Sequence, residues 1–193
     1  RKAHVIAGGS RKRKVYHLTL LGRDSIEETE VIRSETKGIL YGKVPGVVEL
    51  KGRKQILDEL LSNSGRIIIT GLPGIGKSTV LAECARRLVA KGKTVRFATG
   101  EYFSDLSSLL RSWEIEYSSS DAALKSIGDD TLILDEIQEL SNRHLGKVVS
   151  FCKKVKNIII ASRPPSPLAK EFQQIDLPPL DIEAAIELLP EHL

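Results

Sequence analysis

The chain has 193 residues, 41% of them hydrophobic and 28% charged, enough to bury one good core with a smaller unit beside it. No apolar run approaches the length of a membrane-spanning helix, and the basic N-terminus lacks the apolar stretch of a signal peptide, so the expectation is a soluble, cytoplasmic protein without a membrane partner. Cys84 and Cys152 sit in apolar helical patterns with no CxxC partner, which argues against a disulfide or zinc framework and for two small buried hydrophobes.

The sequence starts at Arg1 and contains no methionine, which reads as a piece of a longer chain. Net charge is +4, unevenly spread. Residues 1–23 carry seven Lys or Arg and no acid, and the remainder is at −3. The two regions therefore have different electrostatic tasks.

In chain order, residues 3–6 and 15–20 are β-prone and flank GGSRKRK, which predicts a hairpin with a basic tip. Arg23 to Arg33 suits a short, solvated helix, and residues 35–46, rich in Gly and Lys with Pro45, read as a linker. Ile56, Leu57, Leu60 and Leu61 then form the stripe of an amphipathic helix. Arg66 to Thr70 is an unbroken β-branched run, as in a strand covered on both faces. A helix follows from Lys77 to about Ala90, closed by Gly92. Further strands are predicted over 95–98, 132–135 and 158–161, with a weaker one at 174–177, separated by helices over 103–112, 121–127 and 142–154. Such alternation predicts a parallel sheet between two helical layers, α/β/α.

Three strand ends carry the chemistry. GLPGIGKST, residues 71–79, fits G-x-x-x-x-G-K-[ST] between a buried strand and a helix. Glycines in that loop let the N–H groups of Gly71, Leu72, Gly74, Ile75, Gly76, Lys77, Ser78 and Thr79 converge, with Pro73, which has no N–H, belonging to the same nucleotide-binding loop, and the helix dipole adds positive character there. The pattern points to a nucleoside triphosphate. Lys77 is expected to reach the β- and γ-phosphates and the Ser78 hydroxyl to ligate Mg²⁺.

TLILDEIQEL, residues 131–140, places two acids at the end of an apolar strand. A buried carboxylate there calls for a cation or hydrogen bonds. Asp135 is the candidate metal carboxylate and Glu136 the candidate that polarises water; the bland alternatives are a helix cap and a solvated first-turn acid. NIIIASRPP, residues 157–165, ends another buried strand in Ser162 and Arg163. Arg163 is either a γ-phosphate sensor or a surface arginine, and the prolines fix the exit path.

These motifs together resemble the P-loop ATPases that carry a catalytic glutamate, and within them the STAND and related AAA+ groups. GLPGIGKST looks like Walker A, LILDE like Walker B, IIIASRP like the sensor strand, and VVELKGR (47–53) is similar to the box that precedes the core. The resemblance implies ATP/ADP with Mg²⁺ as cofactors, an ATPase core over 47–180 with strand order 5-1-4-3-2, and the start of a helical lid over 181–193. It also implies base-side contacts at Val48, Gly52 and Arg53. Neither a second sensor nor an arginine finger is legible, so hydrolysis by this chain alone is expected to be weak. Residues 1–34 resemble the end of a winged-helix domain, with Arg11, Lys12, Arg13 and Lys14 as candidate contacts to the phosphates of double-stranded DNA.

The leading expectation is an ATP-hydrolysing switch coupled to DNA engagement or to assembly, as a homo-oligomer or with a partner protein. The alternatives are a replication-initiator-like regulator that holds ATP structurally, and a small-molecule kinase, against which the glutamate beside Asp135 and the lack of a substrate-lid motif both speak.

Overall fold

The structure, a computed structural model, describes residues 2–6, 13–17, 38–46, 50–116, 118–166, 168 and 170–186. They fall into two compact units, Arg1–Glu35 and Thr36–Leu193.

In the first unit, β1 (Lys2–Ile6) and β2 (Arg13–His17) pair antiparallel, with Lys2 opposite His17 and Ile6 opposite Arg13. The predicted hairpin is there as backbone pairing, with one correction. Arg13 and Lys14 belong to the ladder, opposite Ile6 and Val5, and are not turn residues, because the pairing runs farther than the glycines suggested. Arg11, Lys12 and the helix expected over residues 23–33 lie outside the described residues.

The second unit contains β3 (Leu40–Tyr41), α1 (Lys54–Ser62), β4 (Arg66–Thr70), α2 (Lys77–Ala90), β5 (Val95–Thr99), α3 (Leu106–Ser112), α4 (Ser120–Ile127), β6 (Thr131–Asp135), α5 (Asn142–Cys152), β7 (Asn157–Ser162), β8 (Gln173–Asp176) and α6 (Ile182–Ile186). A single 3₁₀ turn at Ile137–Glu139 follows β6. The strands form one six-stranded sheet, β3-β5-β6-β7-β4-β8, parallel throughout. It differs from the expected five-strand order 5-1-4-3-2 by a sixth strand at the edge. That strand, β3, comes from the stretch taken as a linker: Leu40 and Tyr41 pair with Val95 and Arg96, and the Arg96 guanidinium stacks 4.2 Å over the Tyr41 ring.

Alternation along the central strands builds the two layers. Ile67 and Ile69 face Val80, Leu81, Cys84 and Leu88 of α2 and Leu57 and Leu60 of α1. Ile68 faces the opposite side with Leu109, Leu110, Val148 and Phe151 of α3 and α5. Ile68 and Ile69 are wholly buried, and each such side chain contributes about 1.5–3 kcal/mol by leaving water. Cys84 and Cys152 are free and buried in these layers, as the sequence suggested. Trp113, also fully buried, satisfies its indole by donating to the Ile133 carbonyl at 3.0 Å. Among the described residues no helix is long and apolar enough to cross a membrane.

Candidate active site

Because all strands run the same way, β4, β6 and β7 end on one edge, and that is where the polar residues gather. Thr70 lies opposite Ser162 in the register of β4 with β7, and Leu134 opposite Ile160 in that of β6 with β7. The loop 71–76 leaves β4 here. Gly74 and Gly76 have φ of 76° and 99°, left-handed values that glycine adopts without strain. Gly76 caps α2, so the free N–H groups of that 14-residue helix open toward the loop.

Lys77, the first residue of α2, is only 4% exposed. Its ammonium folds back into the loop and donates to the carbonyls of Gly71 and Leu72, each at 3.0 Å. Asp135, at the end of β6, is 2% exposed. Burial pushes its carboxyl above the ordinary carboxylate range; the Ser78 hydroxyl, hydrogen-bonded to it, and the Lys77 charge oppose that shift, while the Glu136 charge adds to it. One Asp135 oxygen also accepts from the Glu136 N–H at 2.9 Å. Lys77, Ser78 and Asp135 therefore act on one another at a single place on the sheet edge.

That donor set fits a hard divalent cation: a hydroxyl and a carboxylate whose burial a positive charge would offset. Among the described residues no group of three or more His, Cys, Asp or Glu is arranged to hold a metal ion by itself. Ser78 and Asp135 are the residues that would hold such an ion, which would supply positive charge beside the loop.

Glu136 has left-handed backbone (φ 53°, ψ 42°) as the chain leaves β6 for the 3₁₀ turn. This strained conformation swings its side chain toward the end of β7. There Arg163 Nη2 lies 3.6 Å from Glu136 Oε2 and 3.0 Å from Glu139 Oε1. Gln138, which the sequence reading did not single out, bridges the same groups. Its Nε2 donates to Glu136 Oε2, and its Oε1 accepts from the Arg163 N–H at 3.1 Å. The only signal for it in the sequence is its place two residues after Glu136. Across the sheet edge, Gly100 packs so closely that a Cβ there would stand 2.8 Å from the Glu136 carbonyl oxygen.

Ser162 is buried, and its hydroxyl donates to the Arg163 carbonyl at 2.9 Å. Thr70 donates to Asp176 at the end of β8, and that contact with a second one from Gln174 holds the Asp176 carboxyl below its usual range. Of the expected base-side residues, Val48 lies outside the described residues. Gly52 (φ 63°) faces Ala184 and Leu180. Arg53 is 4% exposed; its guanidinium donates to Pro178 O at 2.6 Å and to Ile75 O, inside the loop, at 3.1 Å. Burial lowers its pKa, and the Asp181 charge works against that shift.

A glycine-bearing loop at the end of an interior strand of a parallel sheet, with an acid at the end of the strand two places away, is consistent with a P-loop NTPase-like fold. Compared with protein-family models and with curated proteins, the sequence gives no match. Among solved structures, a signal transduction ATPase with numerous domains (STAND) with a tetratricopeptide repeat sensor, from Pyrococcus horikoshii, aligns with a TM-score of 0.55 at 16% identity, over 77% of this chain and 26% of that one. The Pif1 helicase from Candida albicans aligns with a TM-score of 0.43 at 15% identity, over 70% of this chain and 41% of that one. The first likeness is one of fold; the second is too slight to carry weight. This chain corresponds to only 26% of the STAND protein's length.

Proposed function

We propose that the unit from residue 36 onward binds ATP with Mg²⁺ and hydrolyses it to ADP and phosphate. The observation that carries this reading is the meeting of Lys77, Ser78 and Asp135 at the mouth of the glycine loop. The amides of Gly71 to Thr79 would cradle the phosphates, with Lys77 exchanging its two loop carbonyls for β- and γ-phosphate oxygens. Ser78 and Asp135 would hold the metal, which supplies charge neutralisation on the transferred group. Glu136 would orient the attacking water and Arg163 would contact the γ-phosphate. Val48, Gly52 and Arg53 are proposed to flank the base through backbone and aliphatic atoms, since the guanidinium of Arg53 already meets two carbonyls.

Calorimetry with Mg-ATP tests the reading. Lys77→Ala removes the loop's only cationic side chain and is expected to abolish measurable binding; unchanged affinity in that variant would contradict the proposal.

In the larger role proposed here, nucleotide state acts as a switch on assembly with a second copy or a partner protein, or on DNA engaged through Arg11, Lys12, Arg13 and Lys14. One observation favours a second reading, in which ATP is held with little turnover: Arg163 already pairs with Glu136 and Glu139. Single-turnover hydrolysis with and without duplex DNA separates the two. Turnover accelerated by DNA supports the switch, and negligible turnover in both conditions supports the structural role.

A further inference from the structure

Gln138 has both ends of its carboxamide engaged, and the two ends reach different strands. The Nε2 group donates to Glu136 Oε2, just past the end of β6, and lies 3.4 Å from Glu139 Oε1. Oε1 accepts from the backbone N–H of Arg163, where β7 ends. The guanidinium of Arg163 also approaches Glu136, but at 3.6 Å and with 45% of its side chain exposed. A half-exposed ion pair at that distance is screened and loosely directed. A neutral amide, by contrast, fixes its partner through hydrogen-bond direction. Glu136 needs such a constraint, because a glutamate on left-handed backbone at a turn has no helical or strand neighbours to select its rotamer. Its contacts with Gln138 and Arg163 both fall on Oε2, which leaves Oε1 to accept from water.

We propose that Gln138 is a positioning residue for hydrolysis: its amide donor holds the Glu136 carboxylate in place, and its amide oxygen ties that carboxylate to the sensor end of β7. The proposal rests on Glu136 being the residue that orients water. Gln138 does not touch substrate. It sets where the group that does so stands, and errors of an ångström in such placement lower rates sharply.

The test uses the full chain with Mg-ATP, comparing kcat, KM and melting temperature in Gln138→Glu and Gln138→Met. Gln138 lines an open cavity of about 540 Å³, so both replacements fit without repacking. Gln138→Glu keeps an acceptor for the Arg163 N–H but loses the donor and turns a like charge toward Glu136. If Gln138 positions Glu136, kcat falls by about 10- to 100-fold in both variants, while KM and the melting temperature stay close to wild type. If Gln138 merely props the end of β7, Gln138→Glu keeps wild-type kcat, and the proposal is overturned. A double-mutant cycle adds a second readout. Combined with Glu136→Gln, Gln138→Glu is expected to give no further loss, because the two act as one unit; an additive loss overturns the proposal. Wild-type turnover in Glu136→Gln alone overturns the role of Glu136 and this proposal with it. Loss in Glu136→Gln beside wild-type kcat in Gln138→Glu overturns the positioning role only.

Discussion

Asp135 is held in an environment that disfavours its charge, with burial outweighing the Ser78 hydroxyl and the Lys77 ammonium. Its carboxyl therefore titrates higher in the folded chain than the ordinary value of 3.8. The contribution to stability is fully present below that value and is lost as pH rises through the raised folded-state pKa. Asp135→Asn keeps an acceptor for the Glu136 N–H and removes the buried charge. The expected outcome is a nucleotide-free variant that melts above wild type at pH 7, with the gain vanishing as the pH falls toward 3.8. Adding Mg-ATP should reverse the order, because ligand binding stabilises only the chain that can hold the metal. Thermal melts at both pH values, with and without Mg-ATP, read all of this. A variant less stable than wild type at pH 7 without ligand would show that Asp135 is instead favourably solvated.

Among the elements, α2 was legible almost to the residue, because the sequence marks both its ends: the loop glycines before Lys77 and Gly92 after Ala90. The buried strands were legible for a different reason. Runs such as RIIIT and TLILD hold β-branched and apolar residues on both faces, as only a covered strand does. The two-residue strand β3 was not legible: Leu40 is partly exposed, and its pairing with Val95 is a tertiary event with no local period. Gln138 escaped notice likewise, since a polar side chain in a 3₁₀ turn looks like any loop residue until Arg163 is seen beside it.

The role of Arg53 also appears only at this scale. Its guanidinium ties the loop, at Ile75, to the segment between β8 and α6, at Pro178. Arg53→Ala leaves two carbonyls without these donors and is expected to lower stability by roughly 2–4 kcal/mol in urea denaturation. Arg53→Lys should recover only part, because a point ammonium cannot reproduce the planar fork. A loss below about 0.5 kcal/mol in the alanine variant, ordinary for a surface change, would remove Arg53 from the fold's supports.

For the whole molecule, the basic run lies wholly within the first of the two compact units. Residues 1–23 hold seven basic residues and no acid, while everything after them is net negative. The contact boundary falls between Glu35 and Thr36. Two compact units can be separated by truncation. A fragment of residues 36–193 contains the whole sheet, both layers and the glycine loop, and is expected to unfold cooperatively and to bind Mg-ATP as the full chain does. If the proposed DNA contact holds, the same truncation removes affinity for duplex DNA. In the full chain, the logarithm of that affinity should fall with the logarithm of salt at about −0.9 per phosphate neutralised, so about −3.6 for Arg11, Lys12, Arg13 and Lys14 together. Fluorescence anisotropy across a salt series measures the slope. Equal DNA binding by chain and fragment would move the contact off the basic hairpin.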